Sequence, residues 1–216
     1  MVKLPKSEQL RVNMSDDAPQ LYLVTPLLQE ASNFKLRLVQ ALEAANVASL
    51  LIRADHKDMR RNEEILRILT PLAQERNVAV LVENGVNEAL RCGADGAHIL
   101  GSTDDIATAV KKLSPRYIVG AGNLATRDDA MQAGELGVDY VHLVSPDAHQ
   151  LMERVAWWSE LFITPCVAKA EKLDEIAPLA QAGADFIMLE DVVWSDPRDP
   201  AAALSDALAC LQGVSV

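Results

Sequence analysis

The side chains best suited to chemistry follow short apolar segments of the chain. Arg53, Lys169 and Glu190 each stand at the carboxyl end of such a segment. An arginine, a lysine and a carboxylate gathered in a closed cleft can bind anions or transfer protons, because burial and neighbouring charges shift their pKa values. These three residues are therefore the predicted catalytic residues.

Further polar residues occupy equivalent places. Asn84, Asn123 and Asp191 come at or just after the ends of other apolar segments, and we predict that they bind a substrate. Glu83 ends the segment before Asn84, and carboxylate oxygens are ligands that Mg²⁺ prefers. Glu83 is therefore a candidate magnesium ligand.

A repeat organises the segments that carry these residues. Copies of a glycine-x-aspartate pattern, each leading into an apolar run, begin at Gly93, Gly137 and Gly183, and a weaker copy begins at Asn46. The intervals between copies are 47, 44 and 46 residues. Repetition of this length indicates a repeated supersecondary unit. Each copy is interpreted as a helix that ends at a left-handed glycine or asparagine and leads into a buried strand.

Each interval has room for two strands and two helices, so four intervals make eight strands. An open doubly wound sheet is the alternative, but the repeat and the strand number favour a closed α/β barrel. We predict a single-domain (β/α)8 TIM barrel over residues 20–213, preceded by a mobile polar arm over residues 1–19. The predicted strands are Leu21–Thr25, Ser49–Arg53, Val78–Val82, Gly96–Leu100, Tyr117–Ala121, Tyr140–Val144, Ile163–Ala168 and Phe186–Leu189.

In such a barrel, function lies at the carboxyl ends of the strands. The repeat places Arg53 and Glu190 in one layer of the even-numbered strands, so we expect them to form an ion pair across the first strand. One layer deeper lie His98 and His142, which are more typical of hydrogen-bonded core residues than of metal ligands. The loops add Asp55, His56, Lys57, Ser145 and Asp147 to a polar mouth.

Composition excludes several classes of partner. The net charge is −11 with no basic cluster, so neither nucleic acid nor an anionic membrane is an expected partner. Three scattered cysteines and the lack of a long apolar run indicate a cytoplasmic protein with free thiols. Only one of Trp157 and Trp158 can face the barrel squarely, so the other is a candidate contact in a homo-oligomer. The expected partner is a small molecule at the barrel mouth.

The chain resembles the thiamine-phosphate synthase family over about residues 21–208. The best-matching segments are Leu21–Thr25, Gly93–His98 and Gly183–Asp185. Members of this family are (β/α)8 barrels that join a pyrimidine pyrophosphate to a thiazole phosphate, release pyrophosphate and use magnesium. The resemblance therefore implies a transferase, if the chain is an enzyme, with magnesium as its cofactor.

The resemblance also implies roles for single residues. Arg53 matches the arginine of the family's Gln-x-Arg-x-Lys motif and would contact pyrophosphate. Asn84 stands where the family has a magnesium-binding aspartate. Asp104, or Asp105 with a one-residue shift, matches the family's second metal aspartate.

The chain departs from the family where phosphates bind. Lys169-Ala-Glu171 replaces a glycine pair after strand 7, and Glu190-Asp191 replaces an apolar residue and a serine after strand 8. Glycine-rich backbone cradles phosphate at these two strand ends, and residues 138–182 and 184–212 contain no glycine. We therefore predict a family member with degenerate phosphate and pyrophosphate motifs, without ordinary synthase activity.

Three hypotheses follow from these observations. The first is a divergent synthase that still displaces pyrophosphate. The second is a barrel enzyme with changed acid–base chemistry carried by Glu190, Glu83 or Lys169. The third is a non-catalytic barrel that acts as a ligand-binding or regulatory protein. Fold alone does not choose among them, because one barrel supports many chemistries.

Overall fold

A computed structural model describes residues 18–55 and 58–213, and these residues form a closed (β/α)8 barrel. Neighbouring strands pair in parallel and the first strand closes on the last, so the barrel prediction is confirmed. Residues 1–17 of the predicted arm, together with His56 and Lys57, lie outside the described residues. The strands are β1 (Gln20–Val24), β2 (Val47–Ile52), β3 (Ala79–Glu83), β4 (Gly96–Ile99), β5 (Ile118–Leu124), β6 (Tyr140–Leu143), β7 (Cys166–Lys169) and β8 (Phe186–Leu189).

Helices follow the strands and cover the outside of the sheet. Their apolar faces pack on the outward strand residues, as the buried Ile65, Leu66 and Leu69 do on the second helix. None of the helices in the described part of the chain combines the length and the low polarity that crossing a membrane requires. The helices are α1 (Ser32–Ala44), α2 (Met59–Gln74), α3 (Val86–Cys92), α4 (Thr103–Leu113), α5 (Arg127–Glu135), α6 (Ala148–Leu161), α7 (Ile176–Gln181), α8 (Asp191–Trp194) and α9 (Pro200–Gln212).

Two local interpretations of the sequence are wrong. Strand β7 begins at Cys166, later than the predicted Ile163, which is fully exposed. The intervening Pro165 has no amide proton to donate to a ladder. The three repeat glycines are left-handed, but Asn46 is not. Helix α1 ends at Ala44, the next residue Ala45 is already extended, and Asn46 then leads into β2.

The aspartates of the repeat join neighbouring strands at the amino end of the barrel. Each immediately precedes an even-numbered strand, and its carboxylate accepts the backbone N–H of a residue in the preceding odd-numbered strand. The repeat is therefore a device of the scaffold and lies opposite the mouth. The bonds are Asp95 to the Val80 N–H at 2.8 Å, Asp139 to the Val119 N–H at 2.9 Å and Asp185 to the Cys166 N–H at 2.7 Å.

Removing one of these bonds tests that role. Asp139→Ala should lower the free energy of unfolding by about 1–3 kcal/mol, because the buried Val119 N–H loses its side-chain acceptor. Urea unfolding measures the change. Asp206→Ala, which removes an exposed partner of Arg198, should cost about 0–1 kcal/mol. Equal losses in the two variants would contradict the structural role of Asp139.

Two glycines on β5 open space inside the barrel. A Cβ atom at Gly120 would lie 2.0 Å from Cζ of Tyr140, and one at Gly122 would lie 2.2 Å from Nε2 of His98. The rings of Tyr140 and His98 thus cross the inner face of β5. There, Nδ1 of His98 is 2.7 Å from the Tyr140 hydroxyl, which is 2.9 Å from the Tyr22 hydroxyl. The expectation of a hydrogen-bonded core histidine is therefore confirmed for His98.

The paired tryptophans divide as predicted between core and surface. Trp158 is buried and its indole N–H donates to the Thr164 carbonyl at 2.6 Å. Trp157 is half-buried, with the guanidinium of Arg127 4.6 Å from the centre of its ring. A homo-oligomer contact through this side of α6 stays a prediction.

Candidate functional site at the barrel mouth

A cavity of about 680 Å³ opens at the carboxyl ends of the strands. This volume suits a small organic ligand. Its wall combines an apolar part with charged groups that come from the ends of β2, β3, β7 and β8. The apolar part includes Val24, Leu51, Leu100, Leu143 and Met188, and the polar part includes Arg53, Glu83, His98, Asn123, His142, Lys169, Glu171 and Glu190.

Arg53 lies between two carboxylates. Its guanidinium donates to Glu190, so the ion pair expected across β1 is present. Its Nε is also 3.3 Å from Oε2 of Glu83, an ion-pair contact without the alignment of a hydrogen bond. The backbone N–H of Arg53 donates to Oγ1 of the buried Thr25 at 3.0 Å, which fixes the start of the loop after β2.

Lys169 is engaged in the same way. Its ammonium is 2.9 Å from Oε2 of Glu190 and 3.1 Å from Oε1 of Glu171. Burial disfavours the ammonium, but the hydrogen bonds that it donates to Glu190 and Glu171 outweigh burial and raise the pKa of Lys169. Arg53, Lys169, Glu83, Glu171 and Glu190 therefore form one mouth ion network, in which three carboxylates surround two cations.

The three predicted substrate-binding residues separate in the structure. Asn123 lines the cavity, in the left-handed conformation at φ 63°. Asn84 is exposed, and its Oδ1 accepts the backbone N–H of Leu100 at 2.7 Å, so it holds the end of β4. Asp191 is exposed at the start of α8. Neither Asn84 nor Asp191 is among the cavity-lining residues.

The residues suggested for magnesium do not converge. Asp104 is exposed in the first turn of α4, while Glu83 contacts Arg53. Asp105 caps α4 through Ser102, and those hydrogen bonds lower its pKa. Across residues 18–55 and 58–213, no group of three or more histidine, cysteine, aspartate or glutamate side chains is arranged to hold a metal ion. These residues do not fit a magnesium site built by the protein alone.

Several residues of the site have no sequence signal of their own. Glu171 is an exposed loop residue whose contact with Lys169 appears only in three dimensions. Arg154 on α6 donates to the carbonyls of Ala125 and Val144, and so ties the loops after β5 and β6 together. An arginine within an amphipathic helix carries no mark of such a role.

His142 departs from the expectation of a hydrogen-bonded core residue. Within the described part of the chain, neither of its ring nitrogens has a hydrogen-bond partner, although the residue is only 8% exposed. Burial, and then the charge of Lys169, lower the pKa of His142 to about 4. Burial and His142 also hold the pKa of His98 well below its ordinary range. Both imidazoles are therefore neutral near pH 7.

The scaffold and this mouth can be compared with known proteins. Residues 21–192 match the family model described as thiamine monophosphate synthase. The chain belongs to the thiamine-phosphate synthase family. Two curated members named thiamine-phosphate synthase cover most of it. The one from Hyphomonas neptunium is 35% identical over 86% of this chain and 90% of its own length. The one from Rhodospirillum centenum is 36% identical over 90% of this chain and 98% of its own length.

Solved structures show the same fold. A thiamine phosphate pyrophosphorylase from Pyrococcus furiosus has a TM-score of 0.77, with 22% identity, and covers 93% of this chain and 98% of its own. A 3-hexulose-6-phosphate synthase has a TM-score of 0.69 at 18% identity, over 88% of this chain and 99% of its own. At these identities the likeness concerns the barrel alone.

Proposed function

We propose that this member of the thiamine-phosphate synthase family binds a small organic ligand in the barrel mouth and has lost the family's ordinary pyrophosphate-displacing reaction. The mouth ion network carries the proposal. Lys172 lines the cavity from the loop after β7, and the two cations of the network, Arg53 and Lys169, line it at the ends of β2 and β7, where they could hold a phosphate or a pyrophosphate. Both already donate to carboxylates, and the network has one more negative than positive charge.

An anionic substrate meets repulsion at this place. The side chain of Glu190 is only 16% exposed, so water screens its charge weakly. Two like unit charges about 4 Å apart repel by about 4 kcal/mol at an effective dielectric constant near 20. That repulsion corresponds to roughly a thousandfold in affinity. A phosphoryl group bound beside Glu190 must offset this and also displace Glu190 from Arg53 and Lys169.

The backbone at the ends of β7 and β8 lacks the glycines that favour phosphate binding. Phosphate-binding barrels hold the anion on main-chain N–H groups of the loops after strands 7 and 8. The loops here run through Ala170 and Glu171 after β7, and through Glu190 and Asp191 after β8. A helix of one turn, α8, follows the second loop. Without glycine at these positions, side chains limit how closely an anion can approach the backbone.

The alternative of changed acid–base chemistry is less well supported. A general base works best when its pKa lies near the operating pH. The contacts with Glu190 and Glu171 raise the pKa of Lys169, away from neutrality. Lys169 is therefore a charged anchor for the network and a poor proton acceptor at neutral pH.

A second candidate function is ordinary thiamine-phosphate synthesis. The observation that favours it is the 35% and 36% identity to curated relatives bearing that name. Under this candidate, substrate and magnesium would together open the ion network, and Arg53 would turn from Glu190 to pyrophosphate. The two candidates predict opposite results in one set of measurements.

Glu190→Gln removes the carboxylate that Arg53 and Lys169 share. We expect this variant to bind inorganic pyrophosphate about tenfold more tightly than the wild-type chain or better, because one repelling charge is removed and each of the two cations loses one of its two carboxylate partners. Isothermal titration calorimetry at low ionic strength measures the affinity. Glu153→Gln, an exposed change on α6 away from the cavity wall, should leave it unchanged.

The activity assay decides between the candidates. Wild-type protein, incubated with the family's pyrimidine pyrophosphate, thiazole phosphate and Mg²⁺, should form no more thiamine phosphate than the enzyme-free control. Repeated turnover would overturn the proposal in favour of synthesis. Tight pyrophosphate binding by the wild-type chain, or no gain in Glu190→Gln, would contradict the role given to the ion network.

A further inference from the structure

The inner end of the cavity is a pair of imidazoles, His98 on β4 and His142 on β6, called here the histidine floor. Both residues line the cavity, and their ring centres are 5.7 Å apart. A hydrogen bond between Nδ1 of His98 and the hydroxyl of Tyr140 fixes the ring of His98. Nε2 of His98 occupies space that is free because Gly122 has no side chain. The position of His98 is thus set by the scaffold.

His142 is the unusual member of the pair. Both of its ring nitrogens are buried, and neither has a partner among the residues that the structure describes. A buried polar atom without a hydrogen bond lowers stability, and most such atoms in proteins are paired. An apolar side chain at this position would avoid that cost. The imidazole is therefore expected to be paired when the cavity holds its ligand.

The chemistry of the floor selects the group that reaches it. A neutral imidazole has one N–H donor and one nitrogen acceptor. Apolar residues that include Leu51, Leu143 and Met188 share the cavity wall with it. We propose that the histidine floor binds the neutral polar head of a ligand, a head that carries a donor and an acceptor side by side as an amide does, on an apolar body. This inference rests on the proposed function as a ligand-binding barrel and specifies which ligand class enters.

An anionic head suits the floor less well. The mouth ion network lines the same cavity as the floor, and in this network carboxylates outnumber cations. Lys169 is the cation whose charge acts on His142, and it is already engaged by Glu190 and Glu171. The other titratable neighbours of the floor, Tyr140 and Tyr22, are buried hydroxyls. An anion would have to draw a proton onto His142, against both burial and the charge of Lys169.

A metal ion also suits the floor less well. The two imidazoles supply only two ligands, and Nδ1 of His98 is already hydrogen-bonded to Tyr140. The described ranges contain no third histidine, cysteine or carboxylate that completes a cluster with them. Zinc is therefore a useful negative probe.

The test uses benzamide and benzoate, which have the same shape and differ in head group. In full-length protein labelled with ¹⁵N on its histidine rings, benzamide should shift the His142 signals near pH 7. Benzoate should bind about tenfold more weakly or worse, because it offers acceptors only and carries a charge. Zn²⁺ alone should leave the His142 signals in place. Signals are assigned by substitution of each histidine in turn.

Two variants of His142 separate binding from folding. His142→Asn keeps one donor and one acceptor on a neutral group and should retain benzamide binding within about threefold. His142→Phe removes both and should weaken benzamide binding by about tenfold or more. Without ligand, His142→Phe should melt at a higher temperature than wild type, because the unpaired nitrogens are gone. A purely structural histidine would give the opposite change in melting temperature.

Three results would overturn the inference. They are benzamide leaving the His142 signals of folded protein unchanged, benzoate binding more tightly than benzamide with proton uptake, and Zn²⁺ shifting the His142 signals. Failure of the proposed function looks different, because thiamine phosphate would then form with repeated turnover whatever the probes do. Pyrophosphate excluded from the mouth, together with a silent His142, would reject the histidine floor alone.

Discussion

Gly120→Ala is expected to cost about 3 kcal/mol of unfolding free energy or more, or to prevent folding altogether. The added methyl group would lie 2.0 Å from Cζ and 2.3 Å from the hydroxyl oxygen of Tyr140, where no two such atoms can remain. Gly120 pairs directly with His98 on one side and Tyr140 on the other. The Tyr140 ring cannot move aside without breaking its hydrogen bonds to His98 and Tyr22.

A matched control shows whether the effect comes from this contact. Gly213→Ala places its methyl group 3.5 Å from the nearest atom, at a backbone angle that any residue adopts, and should leave stability unchanged. Tyr140→Ala removes the ring that the new methyl group would meet. If the clash is the cause, Gly120→Ala should cost less in the Tyr140→Ala background than in wild type. A Gly120→Ala protein with the wild-type melting temperature would contradict the packing of the barrel interior.

Acid is expected to destabilise the protein through His142 well before its carboxylates are protonated. In the unfolded chain this histidine titrates near pH 6.5, but in the folded chain its pKa is about 4. Between these values the unfolded state binds the proton and the folded state does not. The contribution to stability is therefore complete above pH 6.5 and is lost as the pH falls towards 4. Its size is about 3 kcal/mol.

The measurement compares wild type with His142→Asn. Urea unfolding of both proteins between pH 7 and pH 4 gives the free energy of unfolding at each pH. The free energy of unfolding of the wild type minus that of the variant should fall by about 3 kcal/mol as the pH is lowered from 7 to 4, since asparagine does not titrate. The pKa of His98 is lowered mainly by burial, which both proteins share, and to a lesser extent by His142, so most of the His98 contribution cancels in the difference. A difference that stays constant with pH would show that His142 is not buried as a neutral group.

The two histidines show what a pattern can and cannot determine. The repeat aligns His98 and His142 in one layer, and both indeed lie inside the barrel. Their surroundings differ because Tyr140 is oriented towards His98, and the glycines of β5 leave the space for that orientation. No periodicity along one strand specifies which neighbour a ring will contact.

In the candidate site, too, the sequence predicts some contacts and not others. The pairing of Arg53 with Glu190 was predictable, because a repeat of fixed length sets the register and β1 lies between their strands. The addition of Glu83 and Glu171 to the network was not, since both contacts depend on side-chain reach across strand ends. Asp104 shows the converse. Asp104 matches a family aspartate, but this match does not predict that Asp104 lies exposed on α4.

By itself, the sequence determined the closed barrel, the family and the layer in which Arg53 meets Glu190. These follow from short-range periods, from a repeat that recurs every quarter of the barrel and from glycines that must be left-handed. Only the tertiary structure decided that the mouth is an ion network with its cations engaged, and that the buried His142 has no hydrogen-bond partner among the described residues. Such features arise between residues far apart in the chain, where the balance of charge, space and hydrogen bonding depends on all the strands together.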